Sequence, residues 1–153
     1  RAAYREVLDG EADRDAVRML TAKLEALDHP ELLPDLRDYL LGRSDSCLAP
    51  LQLKELQLRQ PELATLDYLL GRQLYHRRQW DHAARYLEQA RQGELAPVLD
   101  HEALRMLGIA SFHAGALDDA QRALEQLRDS DAPPDLRAEA RDWLARIEWT
   151  LSN

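Results

Sequence analysis

An all-α fold is what this sequence predicts, and three observations carry the prediction. Ala, Leu, Arg, Glu, Asp and Gln dominate the composition, while Val and Ile are scarce and Phe occurs once; that balance favours helix and disfavours sheet. Proline and glycine fall where helices are expected to begin or end. The chain also repeats itself: residues 64–97 laid on 101–134, a shift of 37, agree at eleven positions. Repeats of this length imply stacked supersecondary units that present a continuous surface rather than a closed catalytic pocket. At 153 residues the chain is long enough for one compact domain or one short array with its own core.

The elements follow from the punctuation. A short helix is expected near Ala2–Leu8, stopped by Asp9-Gly10, and a second over about Ala12 to Asp28, striped by Val17, Leu20, Leu24 and Leu27. Pro30 and Pro34 open a helix through Leu36 and Tyr39 to Leu41, with Gly42 placed to end it. Pro50 starts a helix carrying Leu51, Leu53, Leu56 and Leu58, and Pro61 starts the next. From there the expected helices run about 61–77, 80–92, 98–114, 117–128 and 134–151. The turns at Arg78-Gln79 and Gly115-Ala116 are short enough to force antiparallel neighbours.

The shared residues explain themselves as packing. Gly71 and Gly108 sit in mid-helix, where Gly costs about 1 kcal/mol relative to Ala, so a neighbouring helix is expected to pass too close for a Cβ. Ala83 and Ala120 are the expected opposite side of that contact, Leu70, Leu87, Leu107 and Leu124 fill the space beside it, and Trp80 and Leu117 plug the turns.

The pattern Leu70-Gly71, Tyr75, Trp80-Asp81, Ala83, Leu87, Ala90 resembles a tetratricopeptide repeat, and so does Leu104, Leu107-Gly108, Phe112, Gly115, Leu117-Asp118-Asp119-Ala120, Leu124. The first copy departs from the family pattern at Asp67, where an aromatic is frequent, and at Arg78, where a turn Gly is common. A third copy beginning near Ala138 keeps only its first helix, over 135–151, as a C-terminal capping helix. The resemblance covers residues 61–153 and implies a right-handed superhelical solenoid of antiparallel helix pairs. Residues 1–60 are compatible with degenerate repeats of one continuous array; the hexapeptide Asp-Tyr-Leu-Leu-Gly-Arg, at Asp38–Arg43 and again at Asp67–Arg72, points the same way.

In proteins of this kind the first helix of each repeat lines a concave groove for a peptide or a partner's helix. Carried across by position, that groove consists of Tyr68, Arg72, Tyr75 and His76, then Arg105, Ile109, Phe112 and His113, then Arg146 and Trp149. Residues three, four and seven apart share a helix face, which independently groups Tyr68, Arg72 and Tyr75. Tyr75, Phe112 and Trp149 recur at 37-residue intervals and are expected to form a ladder. The ladder can serve as a ligand platform or pack between repeats and bind nothing; both readings stand. As a platform with three arginines beside it, it suits a partner segment bearing acidic and apolar residues. His76 and His113, equivalent in the two copies, are expected as a groove-lining pair that titrates near neutrality.

The formal charge of -8 argues against nucleic acid as a partner. Cys47 stands alone, so no intrachain disulfide forms. No apolar run reaches the roughly 20 residues needed to cross a bilayer, and no phosphate loop, nucleophile elbow or zinc-binding His-Glu-x-x-His motif occurs. No cofactor or metal is expected, and no enzymatic activity. The chain begins at Arg1 and has the look of a piece of a longer protein; a cytoplasmic setting is favoured, with attachment to a membrane protein left open. The expected function is a protein-interaction module, and the alternative is self-association or intramolecular docking without a separate peptide ligand.

Overall fold

The computed structural model describes residues 62–153, together with Lys54 and residues 57–59, which are helical. Five further helices follow: α1 (Ala64–His76), α2 (Trp80–Gln92), α3 (Pro97–His113), α4 (Leu117–Arg128) and α5 (Pro134–Ser152). No strand occurs among the described residues. The helices expected before Pro61 lie outside the described residues apart from that short piece. The later five agree with expectation to within a residue or so, except that α1 begins at Ala64 rather than at Pro61.

The helix starts are held by charge and proline rather than by capping hydroxyls. No N-cap side chain of the five bonds its helix. Instead Pro97 and Pro134 supply a preset φ at the first turn. Asp81, Asp100, Asp118, Asp119 and Asp135 set negative charge against the N-terminal dipole ends of α2 to α5.

The two hairpin turns end their first helices identically. Gln79 N–H donates to the Leu74 carbonyl and Arg78 N–H to that of Tyr75; 37 residues on, Ala116 donates to Ser111 and Gly115 to Phe112. These are paired Schellman closures, which need a left-handed residue at one position. Gly115 takes it at φ 84, and Arg78 takes it at φ 60. The repeat therefore imposes a glycine conformation on an arginine.

Direct approaches give the packing. Gly93 lies against Ala64, Gly71 against Leu87, and Tyr75 against Trp80, so α1 and α2 run antiparallel. Gly108 against Leu124 repeats the arrangement between α3 and α4. The expected partners of the two helical glycines were Ala83 and Ala120; the close contact is instead with Leu87 and Leu124, one turn further along. A Cβ on Gly71 would fall 2.8 Å from Leu87 Cγ, and one on Gly108 would fall 2.5 Å from Leu124 Cγ. Ala83 and Ala120 are fully buried.

Inner and outer helices differ in how much of their circumference is covered. α2 buries a single row, Ala83, Leu87 and Ala90, and α4 the matching row Ala120, Ala123, Leu124 and Leu127. α1 buries eight consecutive residues, Ala64 to Gly71, and α3 nearly all of its middle. A helix covered on all sides belongs to the interior. Each helix packs on its neighbours in sequence, and α3 also meets α1 and α5. Leu70, Leu87, Leu99, Met106, Leu124, Leu127 and Ile147 make one shared core, each worth about 1.5–3 kcal/mol of burial.

Candidate functional site

Along one side of these helices the aromatic side chains join into a continuous band. Tyr75, near the end of α1, meets Trp80 edge-to-face at 5.5 Å. Trp80 is the first residue of α2, so the tight turn brings the two rings together. The Trp80 ring then stacks on His113, at the end of α3, with centroids 4.5 Å apart and planes 22° from parallel. Trp143 in α5 closes the band, edge-on to Phe112 at 5.3 Å and to His113 at 5.9 Å. The Arg146 guanidinium lies over the Trp143 ring at 4.4 Å. Tyr75, Trp80, Phe112 and Trp143 are half-buried, whereas His76, His113 and Arg146 are exposed. The band thus crosses four helices and keeps an accessible edge.

Beside it runs an ion-pair network. Arg105 Nε donates to both carboxylate oxygens of Glu139 at 2.9 Å, joining α3 to α5, and its Nη1 reaches Glu102 at 3.4 Å. Burial opposes the guanidinium charge, but the Glu139 hydrogen bond and the two carboxylates outweigh it, so Arg105 titrates above its ordinary range. Burial likewise pushes the Tyr75 phenol up, partly offset by the positive charge of Arg105. Arg105 is committed to its own protein and is a joint between helices.

The residues expected to line a groove divide into three groups. Tyr68 and Ile109 are 1% and 4% exposed: they belong to the core, because α1 and α3 are inner helices covered on the faces where those side chains lie. Tyr75, His76, Phe112, His113 and Arg146 are brought together in or beside the band, while Arg72 is half-buried on α1. Trp149 is 69% exposed and makes no ring contact among the described residues.

The expected ladder of Tyr75, Phe112 and Trp149 does not form, and the reason is register. Contacts between successive units join residues fewer than 37 apart: Trp80 with His113, Arg105 with Glu139, Phe112 with Trp143. Equivalent positions are therefore staggered along the helix axes. Trp149, six residues beyond Trp143, lies about 9 Å further along α5. The two histidines are also differently placed from expectation: His113 stacks on Trp80, whereas His76 is edge-on to Tyr75 at 5.4 Å.

Trp80 and Trp143 are the members that sequence reasoning missed as site residues. Trp80 was expected only as a turn plug. Trp143 falls at the repeat position of the core residues Leu69 and Met106; an aromatic at that position, three residues before an arginine on the last helix, was the available signal.

One buried carboxylate lies apart from the band. Asp67 is 2% exposed and its Oδ1 has no hydrogen-bond partner. Burial raises its pKa from 3.8 to about 6, against the opposing pull of Lys54 and Gln57. Lys54 Nζ bonds Gln57 at 3.1 Å and sits 4.9 Å over the Tyr86 ring, which ties this short helical piece to α1 and α2.

Among the described residues no group of three or more His, Cys, Asp or Glu could hold a metal ion, and no helix is long and apolar enough to cross a membrane. No protein-family model, curated protein or solved structure matches the chain.

Proposed function

We propose that the five helices are successive units of a tetratricopeptide-like helix-pair solenoid, closed by α5 as a capping helix, and that the chain works as a protein-interaction module. The carrying observation is the band of half-exposed rings, Tyr75, Trp80, His113, Phe112 and Trp143, with Arg146 over its end. Rigid aromatic rings with one wet edge are the side chains that dominate protein interfaces, because they bury much area at little entropic cost. The partner binds in equilibrium across the band, with Arg146 as the available cation. On this reading the chain performs no catalysis and needs no cofactor.

The partner surface is narrower than a groove running the length of the inner helices, since Tyr68 and Ile109 are enclosed and Arg105 is occupied. Exposure of Trp149 at 69% and Leu151 at 59% on α5 favours a second occupant, another copy of the chain, over that end of the surface.

Photo-crosslinking tests both. A photoreactive residue replaces His76, Arg146 or Trp149 in turn, with exposed Gln92 and Asp118 as controls outside the band. A discrete adduct from the band positions alone supports the reading. Adducts of twice the chain mass from Trp149 alone support self-association, and equal labelling from the controls rejects both.

A further inference from the structure

A second surface lies on the other side of α3. Between α2 and α4 is a cleft of about 1120 Å³, open to solvent. Leu104 and Leu107 of α3 lie in it with Ser111, spaced three and seven residues apart on one stripe of the helix. Arg105 and Phe112 of the aromatic side lie about 100° further round α3, so the two surfaces are separate.

Three properties of the cleft select its occupant. Its size exceeds the roughly 300–1,000 Å³ typical of small-molecule pockets, and it is open, which suits a length of polypeptide. Its charge is unbalanced: Asp100 and Asp119 neutralise Arg91 and Arg122, and Asp131 pairs with His101 at 3.2 Å. Asp129 is held by Arg128 through hydrogen bonds of 2.9 and 3.1 Å, which leaves Glu88 and Glu125 against Arg85 among the lining residues. That field attracts a cationic segment and repels an acidic one. Finally, Ser111 is only 3% exposed, lines the cleft, and its hydroxyl makes no hydrogen bond among the described residues. An extended segment carries unpaired main-chain N–H and C=O groups that can supply the bond, whereas a helical one has used them internally.

We propose that this cleft is a docking site for an extended basic segment of another protein. Apolar side chains of the segment rest on Leu104 and Leu107, its Lys or Arg charges meet Glu88 and Glu125, and its main chain bonds Ser111. The site needs nothing from the aromatic band, so either can be present without the other.

The test is an NMR titration of the full 153-residue chain at low ionic strength with two unstructured peptides of about twelve residues, the length an extended recognition segment spans. One contains Lys, Leu and Ser, and the other has Glu for every Lys. The Lys peptide is expected to shift the amides of Glu88, Leu104, Ser111 and Glu125, and the Glu peptide to shift none of them. Glu88→Lys/Glu125→Lys should weaken binding at least about tenfold, and Ser111→Ala about two- to fivefold. Asp142→Lys/Glu148→Lys makes the same change in net charge on the exposed face of α5 and should weaken it less than about twofold. Circular dichroism confirms that each variant is folded. The proposal is overturned by absence of binding, by equal binding of the two peptides, by equal weakening in the two double variants, or by shifts confined to Trp80, His113 and Trp143. The last outcome would leave the aromatic-band reading standing.

Discussion

Replacing Gly108 with Ala sets two well-measured effects against each other. Alanine is the better helix former by about 0.8–1 kcal/mol, so on an exposed helix the change would stabilise. Here the new Cβ would sit 2.5 Å from Leu124 Cγ, 2.7 Å from Cδ2 and 3.3 Å from Cδ1. Carbon atoms prefer about 3.5–4.0 Å, so the branch point of Leu124 must retreat by about 1 Å. Leu124 is fully buried, and its retreat pushes on a packed core, at about 1–3 kcal/mol for overpacking. The overlap involves a branch point rather than a free chain end, which places the cost in the upper part of that range. We expect Gly108→Ala to lose about 1–2 kcal/mol net, or a fall in Tm of roughly 2–8 °C for a chain of this length. The assay is chemical and thermal unfolding of the single variants and of Gly108→Ala/Leu124→Ala. Leu124→Ala alone should cost about 2–5 kcal/mol, and the double variant should cost at least about 1 kcal/mol less than the sum, since the clash is gone. A raised Tm for Gly108→Ala, or strict additivity in the double variant, would refute the close-approach argument.

Three further outcomes follow from single contacts. Arg78 holds a left-handed φ of 60 where the second copy has Gly115, so Arg78→Gly should stabilise by about 1 kcal/mol and Gly115→Ala should destabilise by a similar amount, both read from urea midpoints. Asp67 has its folded pKa raised from 3.8 to about 6, so its charge opposes folding. The penalty is absent below about pH 4, grows as pH rises to about 6, and is then constant at up to about 3 kcal/mol. Asp67→Asn should therefore match the parent at pH 4 and exceed it in stability at pH 7; a difference independent of pH would contradict the assignment. Glu139→Ala removes the closer carboxylate from the half-buried Arg105 and leaves it Glu102 at 3.4 Å, so it should cost about 1–3 kcal/mol, while Arg105→Met/Glu139→Leu should recover part of it.

How much of this was legible beforehand divides along the same physical lines. Local rules placed the helices: Pro97 and Pro134 at first turns, Gly115 at a left-handed closure, and apolar rows along α2 and α4 at helical spacing. These depend on neighbours within a turn or two, which a single sequence displays. The candidate site was only partly legible. Phe112, His113 and Tyr75 were identified by recurrence, but recurrence treats equivalent residues as neighbours in space. Helices that pack side by side are offset along their axes, so Phe112 meets Trp143 and not Trp149, and His113 meets Trp80 and not His76.

Burial was the other quantity that sequence spacing left open. Tyr68 and Arg72 share a helix face by spacing, yet Tyr68 is enclosed while Arg72 is half-buried, because enclosure depends on how far neighbouring helices extend along that face. The same holds for the cleft beside Ser111, which exists because α2 and α4 stand apart over α3. By itself the sequence determined the helical class, most of the helix bounds and the two mid-helix glycines where a neighbouring helix passes close, since backbone preference and periodicity are local. Tertiary structure alone decided which rings touch, which arginine is already occupied and where an open surface remains, since those follow from the stagger and separation of helices that no local preference encodes.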